Sequence, residues 1–204
     1  PGTTAIVWDS DSLPALRMLD PGASGEVNFE AKVKNSFNLQ RLDNRNFSIR
    51  LSAVMDSPSV PYYLSASRTS VEQVSDTKIA GLALIVAKGF FYDAASGILN
   101  AGNLPPKVGR GTQYTIHWSL KNFSTDLNNV EVKAMLAPGV KWTGSAKSNL
   151  GNVPVYDQDN GQVVWTIDRV AATKGILSEP AEAIFQVEGV PDLSQIGGPE
   201  PLIG

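Results

Sequence analysis

Apolar and polar residues alternate along several stretches of this chain. In "YTIHWSL" the apolar positions Tyr114, Ile116, Trp118 and Leu120 fall on one side, and Thr115, His117 and Ser119 fall on the other. Successive side chains of a β-strand point to opposite faces, so this pattern predicts a strand with one buried and one wet face. The same alternation occurs at residues 26–34 (EVNFEAKVK), 47–54 (FSIRLSAV) and 130–136 (VEVKAML).

Turn-forming residues separate these predicted strands. They form "DPG" at 20–22, "APG" at 137–139 and "DNG" at 159–161, and Asn160–Gly161 predicts a hairpin between "PVYDQ" and "QVVWTI". The longest apolar run, Ile79–Ala87, is too short to span a bilayer. Its glycine and β-branched residues favour a buried strand over a helix. Many short strands with antiparallel alternation predict a β-sandwich.

Two distant segments resemble each other, which predicts an internal repeat. "TAIVWDSDS" around Trp8 matches "QVVWTIDRV" around Trp165, and Phe29 and Phe185 follow in nearly the same register. A repeat of this kind is typical of a segment of a longer array. It predicts that Trp8 and Trp165 are equivalent core residues.

The repeat also predicts the division of the chain into domains. Residues 1–74 form a first or partial unit and residues 75–204 a second, with a junction at 71–78. The second unit then lacks a strand equivalent to Phe47–Ala53, and nothing before Pro1 supplies the opening strands of the first. We expect another copy to close both incomplete edges by edge or end-to-end contact.

Composition excludes several classes of protein. The 204 residues carry a net charge of −3, which gives no basic footprint for nucleic acid. The chain has no cysteine, so disulfides, cysteine-ligated metals and thiol nucleophiles are excluded. A cysteine-free chain fits the cytoplasm or a bacterial exterior better than a disulfide-stapled ectodomain.

Residues 109–145 resemble a known family of repeats. The resemblance is carried by Gly111, the strand Tyr114–Ile116 leading to Asn122, the "V-x-V" strand Val130–Val132, and the turn Leu136–Gly139 before Val140–Gly144. Together these elements resemble the immunoglobulin-like conserved repeat of bacterial and archaeal cell-surface proteins. "LDPGASGEVNF" at Leu19–Phe29 resembles another part of that repeat. Ala137 departs from the pattern, because it separates the leucine from the proline of the turn.

The resemblance implies a fold and a role. The fold is all-β, with tandem immunoglobulin-like antiparallel β-sandwiches, and long repeat proteins of very small bacteria look most similar. It implies a non-enzymatic structural or adhesive segment of an extracellular cell-surface protein, such as a spacer, S-layer lattice or stalk unit. The expected partners are neighbouring repeats or copies, with surface glycans as a further possibility, and without direct membrane insertion.

Few residues suggest chemistry of their own. His117 is the single histidine and lies on the polar face of a predicted strand, which favours a solvent-facing residue. "DQDNG" at 157–161 is similar to a calcium loop, but its glycine is one place early, which favours a hairpin tip. The acids of "DSDS" at 9–12 are expected to be solvated. We therefore predict no catalytic residues, no cofactor and no metal, and a weak non-EF calcium site stays open as an alternative.

The aromatic residues leave a second function open, a carbohydrate-binding β-sandwich module of a secreted enzyme. Trp142 and Trp165 alternate with apolar neighbours and are expected in the core, whereas Tyr62 and Tyr63 could stack on a sugar or a neighbouring protein. A sugar module should expose a flat row of aromatics, so burial of Trp118, Trp142 and Trp165 would count against it. Two "NFS" sequons, at Asn46 and Asn122, are expected to be unmodified in a bacterial protein.

Overall fold

The computed structural model describes residues 5–32 and 39–204. The chain divides into two compact units, Pro1–Phe37 and Asn38–Gly204. The described part of the first unit contains a short 3₁₀ turn, Pro14–Arg17, and no strand. Trp8 and Phe29 approach each other there, with their ring centroids 6.2 Å apart.

The second unit is all-β and antiparallel. Its strands are β1 (Ser48–Ser57), β2 (Thr69–Lys78), β3 (Ala83–Phe90), β4 (Thr112–Asn122), β5 (Leu127–Met135), β6 (Val140–Ser148), β7 (Val155–Asp157), β8 (Gln162–Val170) and β9 (Ala181–Gly189). They form a four-stranded sheet in the order β3-β4-β9-β6, a three-stranded sheet in the order β5-β8-β7, and a separate two-stranded ribbon, β1-β2. No α-helix occurs among the described residues.

The two larger sheets share one hydrophobic core. It is built from the alternate residues of three strands and from Val170 at the end of β8. The alternate residues are Ile116, Trp118 and Leu120 of β4, Val163, Trp165 and Ile167 of β8, and Ala181, Ala183, Phe185 and Val187 of β9. The packing is sandwich-like, and it confirms the period-2 prediction for β4 and β8. Trp165 is fully buried, and its Nε1 donates a hydrogen bond to the Asn152 carbonyl over 2.8 Å.

The predicted hairpin at Asn160–Gly161 is confirmed. Gly161 has φ = 66° and joins β7 to β8, with Asp157 paired to Gln162. The left-handed region is open to glycine without a steric penalty, which is why a glycine follows the asparagine in this turn.

Several sequence predictions are wrong for the described residues. Residues 26–32 form no strand, and residues 33 and 34 of that prediction lie outside the described residues. Trp8 lies in no sheet and keeps 36% of its surface exposed, so no second layer buries it as the core buries Trp165. Strand β3 exists, but every one of its residues is exposed rather than buried.

The domain prediction of 1–74 and 75–204 stays a prediction. Its junction at 71–78 falls within β2, where each residue is paired with one of β1. Residues 75–204 do include all seven strands of the two larger sheets.

Candidate functional site

His117 lies in a cluster of charged side chains that the sequence does not reveal. Its Nε2 is 2.6 Å from Asp93 Oδ2, and its Nδ1 is 3.1 Å from Glu182 Oε1. Only 16% of the His117 side chain is exposed, so the prediction of a solvent-facing histidine is wrong. A segment between β3 and β4, residues 91–101, covers this part of the sheet and supplies Asp93; we call it the strap.

Hydrogen bonds hold the strap on the outer face of the four-stranded sheet. Thr115 Oγ1 donates to Asp93 Oδ2 over 2.7 Å, Gln186 Nε2 donates to the Leu99 carbonyl over 2.9 Å, and Lys147 Nζ donates to the Ser96 carbonyl over 2.7 Å. β4, β9 and β6 each provide one of these donors. A shallow groove remains beside β6, lined by 97–99, 144–147 and Gln186.

The electrostatics of this cluster favour a structural role. Burial alone would raise the pKa of Asp93, but hydrogen bonds from His117, Thr115 and Ser96 lower it to about 2. Each ring nitrogen of His117 lies within hydrogen-bond distance of one carboxylate, Asp93 on the strap or Glu182 on β9. The His117 ring therefore connects the strap to β4 and β9.

The carboxylates of Asp9 and Asp157 accept hydrogen bonds from residues of their own loops. Asp9 Oδ1 accepts hydrogen bonds from the Ser12 amide and hydroxyl, both over 2.8 Å. Asp157 Oδ1 accepts one from the Asp159 amide over 3.0 Å, which closes the hairpin tip. Among residues 5–32 and 39–204, no three His, Asp or Glu side chains come together as a group that could hold a metal ion. The two nitrogens of His117 face separate carboxylates, so that trio does not converge on one point.

The aromatic residues form no flat exposed row in the described chain. Trp118 and Trp165 are buried, and Trp142 is half-buried, stacked on Tyr156 at 6.2 Å between ring centroids. Tyr62 and Tyr63 lie at the tip of the ribbon and are highly exposed, but their rings meet edge to face at 84°.

The β1-β2 ribbon has an uncharged face. Antiparallel pairing places Ile49, Leu51, Ala53 and Met55 of β1 beside Thr77, Ser75, Gln73 and Val71 of β2. Leu51 is 44% exposed, Met55 62% and Val71 54%. The opposite face carries the charged residues, including the Arg50–Asp76 pair at 3.7 Å. A two-stranded ribbon is marginal alone in water, so this uncharged face is a candidate contact surface.

The base of the ribbon is attached to the sandwich through Asn46 and Asp126. The Asn46 amide donates to the Ser124 carbonyl over 2.6 Å, and the Asp126 amide donates to Asn46 Oδ1 over 3.0 Å. Hydrogen bonds from the Ala172 amide and from Arg169 lower the pKa of Asp126 to about 2. The second sequon asparagine, Asn122, is buried, and its amide nitrogen donates to three carbonyls, so it cannot carry a glycan in this fold.

All eight residues of strand β3 are exposed, and one of its backbone edges is also exposed. Among the described residues it pairs only with β4. Leu84, Ile85 and Val86 are each more than 40% exposed. Together the ribbon and this edge are the candidate functional surface. Sequence reasoning did not locate it, because it predicted that β3 is buried.

Comparison with known proteins adds no identification. No family model matches the chain, and neither a curated protein nor a solved structure is significantly similar to it. Among the described residues there is also no helix with the length and apolar character needed to cross a membrane.

Proposed function

We propose that this chain is a non-enzymatic structural or adhesive repeat segment of an extracellular cell-surface protein, acting as a spacer, lattice or stalk unit. The observation that carries the proposal is the uncharged face of the ribbon, whose Leu51, Met55 and Val71 are exposed. An exposed uncharged face with several apolar side chains suits contact with another protein surface rather than a small molecule. The expected neighbours are further repeats or copies of the same chain.

We also propose that the second unit is a variant of the immunoglobulin-like sandwich. In that fold seven strands divide into sheets ordered A-B-E-D and C-F-G. Numbered from β3, the strands of this chain divide in the same four-plus-three way, as 1-2-7-4 and 3-6-5. Relative to that fold, the fifth and seventh strands exchange sheets.

The location can be tested on intact cells of the source organism. An antibody raised against the 204-residue chain should label unpermeabilised cells, and protease added outside should remove the signal. Labelling that appears only after permeabilisation would contradict an extracellular location. A cytoplasmic protein in the same cells provides the control, because it must stay unlabelled and protected.

A glycan array distinguishes the structural proposal from the carbohydrate-binding alternative. Trp118 and Trp165 are buried and Trp142 is half-buried, so two of the three tryptophans that a sugar platform would use are withdrawn from the surface. We expect no specific glycan signal at micromolar protein concentration. A signal abolished by Tyr62→Ala together with Tyr63→Ala, but kept by the matched exposed change Tyr92→Ala, would favour the alternative.

A further inference from the structure

We propose that β3 pairs with β3 of a second copy, antiparallel about a two-fold axis at Val86, so that two four-stranded sheets become one continuous sheet. This inference deepens the proposed function, on which its biological role rests, by naming the edge through which two copies meet. It rests on three observations: the other sheet edges are hindered, alternate residues of β3 have backbone groups that point to the free edge, and Lys88 is the one charged residue of the strand.

The other three edges of the two larger sheets each carry a feature that hinders strand addition. β6 has a register shift between Trp142 and Ala146 and two lysines on the strand. β7 has only three residues. On β5, Asn129 has φ = 53° and interrupts the register, and Met135 exchanges two hydrogen bonds of 2.9 Å with Gly204.

The β3 edge has none of these features. Its eight residues, ALIVAKGF, contain no proline, and its pairing with β4 is regular from Ala83 to Phe90. Lys88 is its one charged residue. A long, regular and apolar edge of this kind is a template for another strand.

The pairing of β3 with β4 determines which β3 residues turn their backbone N–H and C=O groups toward the free edge. The Phe123 amide donates to the Leu82 carbonyl over 2.9 Å, in line with the Ala83–Asn122 register. In an antiparallel ladder, hydrogen-bonded residues alternate with residues whose N–H and C=O point the other way. The even-numbered residues of β3 therefore bond to β4, and Ala83, Ile85, Ala87 and Gly89 present their backbone groups to the free edge.

A two-fold axis at Val86 brings these free groups opposite one another. Ala83 then lies opposite Gly89 of the second copy, and Ile85 opposite Ala87, so each outward N–H meets an outward C=O. Val86 lies opposite itself in a non-hydrogen-bonded pair, where side chains come closest. Each β3 residue whose backbone groups point to the free edge then pairs with such a residue in β3 of the second copy. A two-fold axis at any other residue of β3 would leave at least one of these residues without a partner.

The charge pattern also suits a second copy. With the axis at Val86, Lys88 lies opposite Leu84, so the two lysines do not face each other. An axis at Lys88 would place like charges directly opposite, which is destabilising. β3 contains no acidic residue that would have to be paired. Exposed Leu84 and Val86 of both copies would then cover each other on the outer face of the joined sheet.

Disulfide trapping tests the register directly, because the chain contains no cysteine of its own. Residues opposite each other in a non-hydrogen-bonded pair have Cα atoms about 4.5 Å apart, which lies within the range that a disulfide spans. Under mild oxidation at low micromolar concentration, Val86→Cys should form a covalent dimer at least about ten times faster than Val54→Cys. Val54 is the matched control, since it is an exposed valine on the charged face of the ribbon.

Sedimentation across a range of concentrations tests the association itself. Val86→Lys places two like charges at the axis, and Ala87→Pro removes one outward N–H without removing a bond to β4. We expect both variants to weaken dimerisation by at least about tenfold, while Val54→Lys leaves it unchanged. Far-UV circular dichroism and thermal unfolding of each variant check that the fold is kept, and Val86→Thr provides a mild second variant if the lysine disturbs folding.

Three results would overturn the inference. If the unaltered chain stays monomeric at all concentrations, both this inference and the proposed contact between copies fail. If it dimerises, but Val86→Lys and Ala87→Pro do not weaken the dimer, copies meet elsewhere and only the β3 pairing fails. Equal trapping rates for Val86→Cys and Val54→Cys would likewise exclude the Val86 axis.

Discussion

At the residue scale, burial separates positions that look alike in the sequence. Trp8 and Trp165 follow similar β-branched residues, yet Trp165 has no exposed surface and Trp8 keeps 36%. His117 alternates with core residues as a solvent-facing residue would, yet two carboxylates and the strap surround it. The segments that cover Trp165 and His117 lie elsewhere in the sequence, so alternation alone does not reveal them.

Replacement of Trp165 by alanine should strongly destabilise the fold. The change removes a fully buried indole and its hydrogen bond to Asn152, so we expect a loss of about 3–5 kcal/mol in the free energy of unfolding, measured with urea. Trp142→Ala is the control and should cost less, because Trp142 is only half-buried. A loss below about 1 kcal/mol at Trp165 would contradict its place in the core.

Asp93 should make stability dependent on pH in the acid range. Its pKa is about 2 in the folded chain, below the ordinary 3.8. Its contribution is therefore fully present above pH 3.8 and is lost as the pH falls through about 2. Asp93→Asn should lower the free energy of unfolding at pH 7 by roughly 1–2 kcal/mol. The difference from the unaltered chain should shrink toward zero near pH 2.

Asp76→Asn provides the control for this measurement. Asp76 pairs with Arg50 on the exposed face of the ribbon, and exposed pairs contribute little to stability. An Asp93→Asn variant as stable as the Asp76→Asn variant at pH 7 would show that the cluster around His117 does not hold the strap.

At the element scale, the ribbon and the sandwich are stabilised differently. The sandwich buries alternate residues of β4, β8 and β9, whereas none of the residues in β1 and β2 is fully buried. At the base of the ribbon, the Ile79 amide donates to the Phe47 carbonyl over 2.9 Å, so the chain enters and leaves at one point. The ribbon thus adds surface for contact without adding to the core.

Removal of the ribbon should leave the sandwich folded. Residues 48–78 can be replaced by an Asn-Gly turn, because Phe47 and Ile79 already lie within hydrogen-bond distance. We expect the free energy of unfolding to change by less than about 1 kcal/mol, with the near-ultraviolet circular dichroism of the buried tryptophans preserved. Loss of cooperative unfolding would show that the core depends on the ribbon.

At the scale of the whole molecule, the structure forms two compact units, Pro1–Phe37 and Asn38–Gly204. The junction that the repeat places at 71–78 stays a prediction. The junction segment forms a complete ladder with β1. A protease needs an extended, accessible segment, and paired strands resist cleavage.

Limited proteolysis can test that junction. Proteinase K, which has broad specificity, should cleave at the exposed tip of the ribbon around Tyr62 and Tyr63 before it cleaves anywhere within 71–78. The first cut is read by mass spectrometry of the fragments. A first cut within 71–78 would instead favour the boundary predicted from the repeat.

The sequence by itself determined the local elements of this protein. Alternation predicted β4, β5 and β8, and Asn160–Gly161 predicted the hairpin that joins β7 to β8, because strand periodicity and turn geometry depend on neighbouring residues. The alternation around Trp165 also identified a core residue correctly.

Only the tertiary structure decided which faces and edges are covered. The strap over His117, the exposure of β3 and the uncharged face of the ribbon all depend on contacts between segments far apart in sequence. Alternation predicts that a strand has two different faces. It does not predict which segment packs on each face, or whether the backbone edge of the strand pairs with another strand. The core could therefore be predicted in part from the sequence, and the candidate contact surface could not.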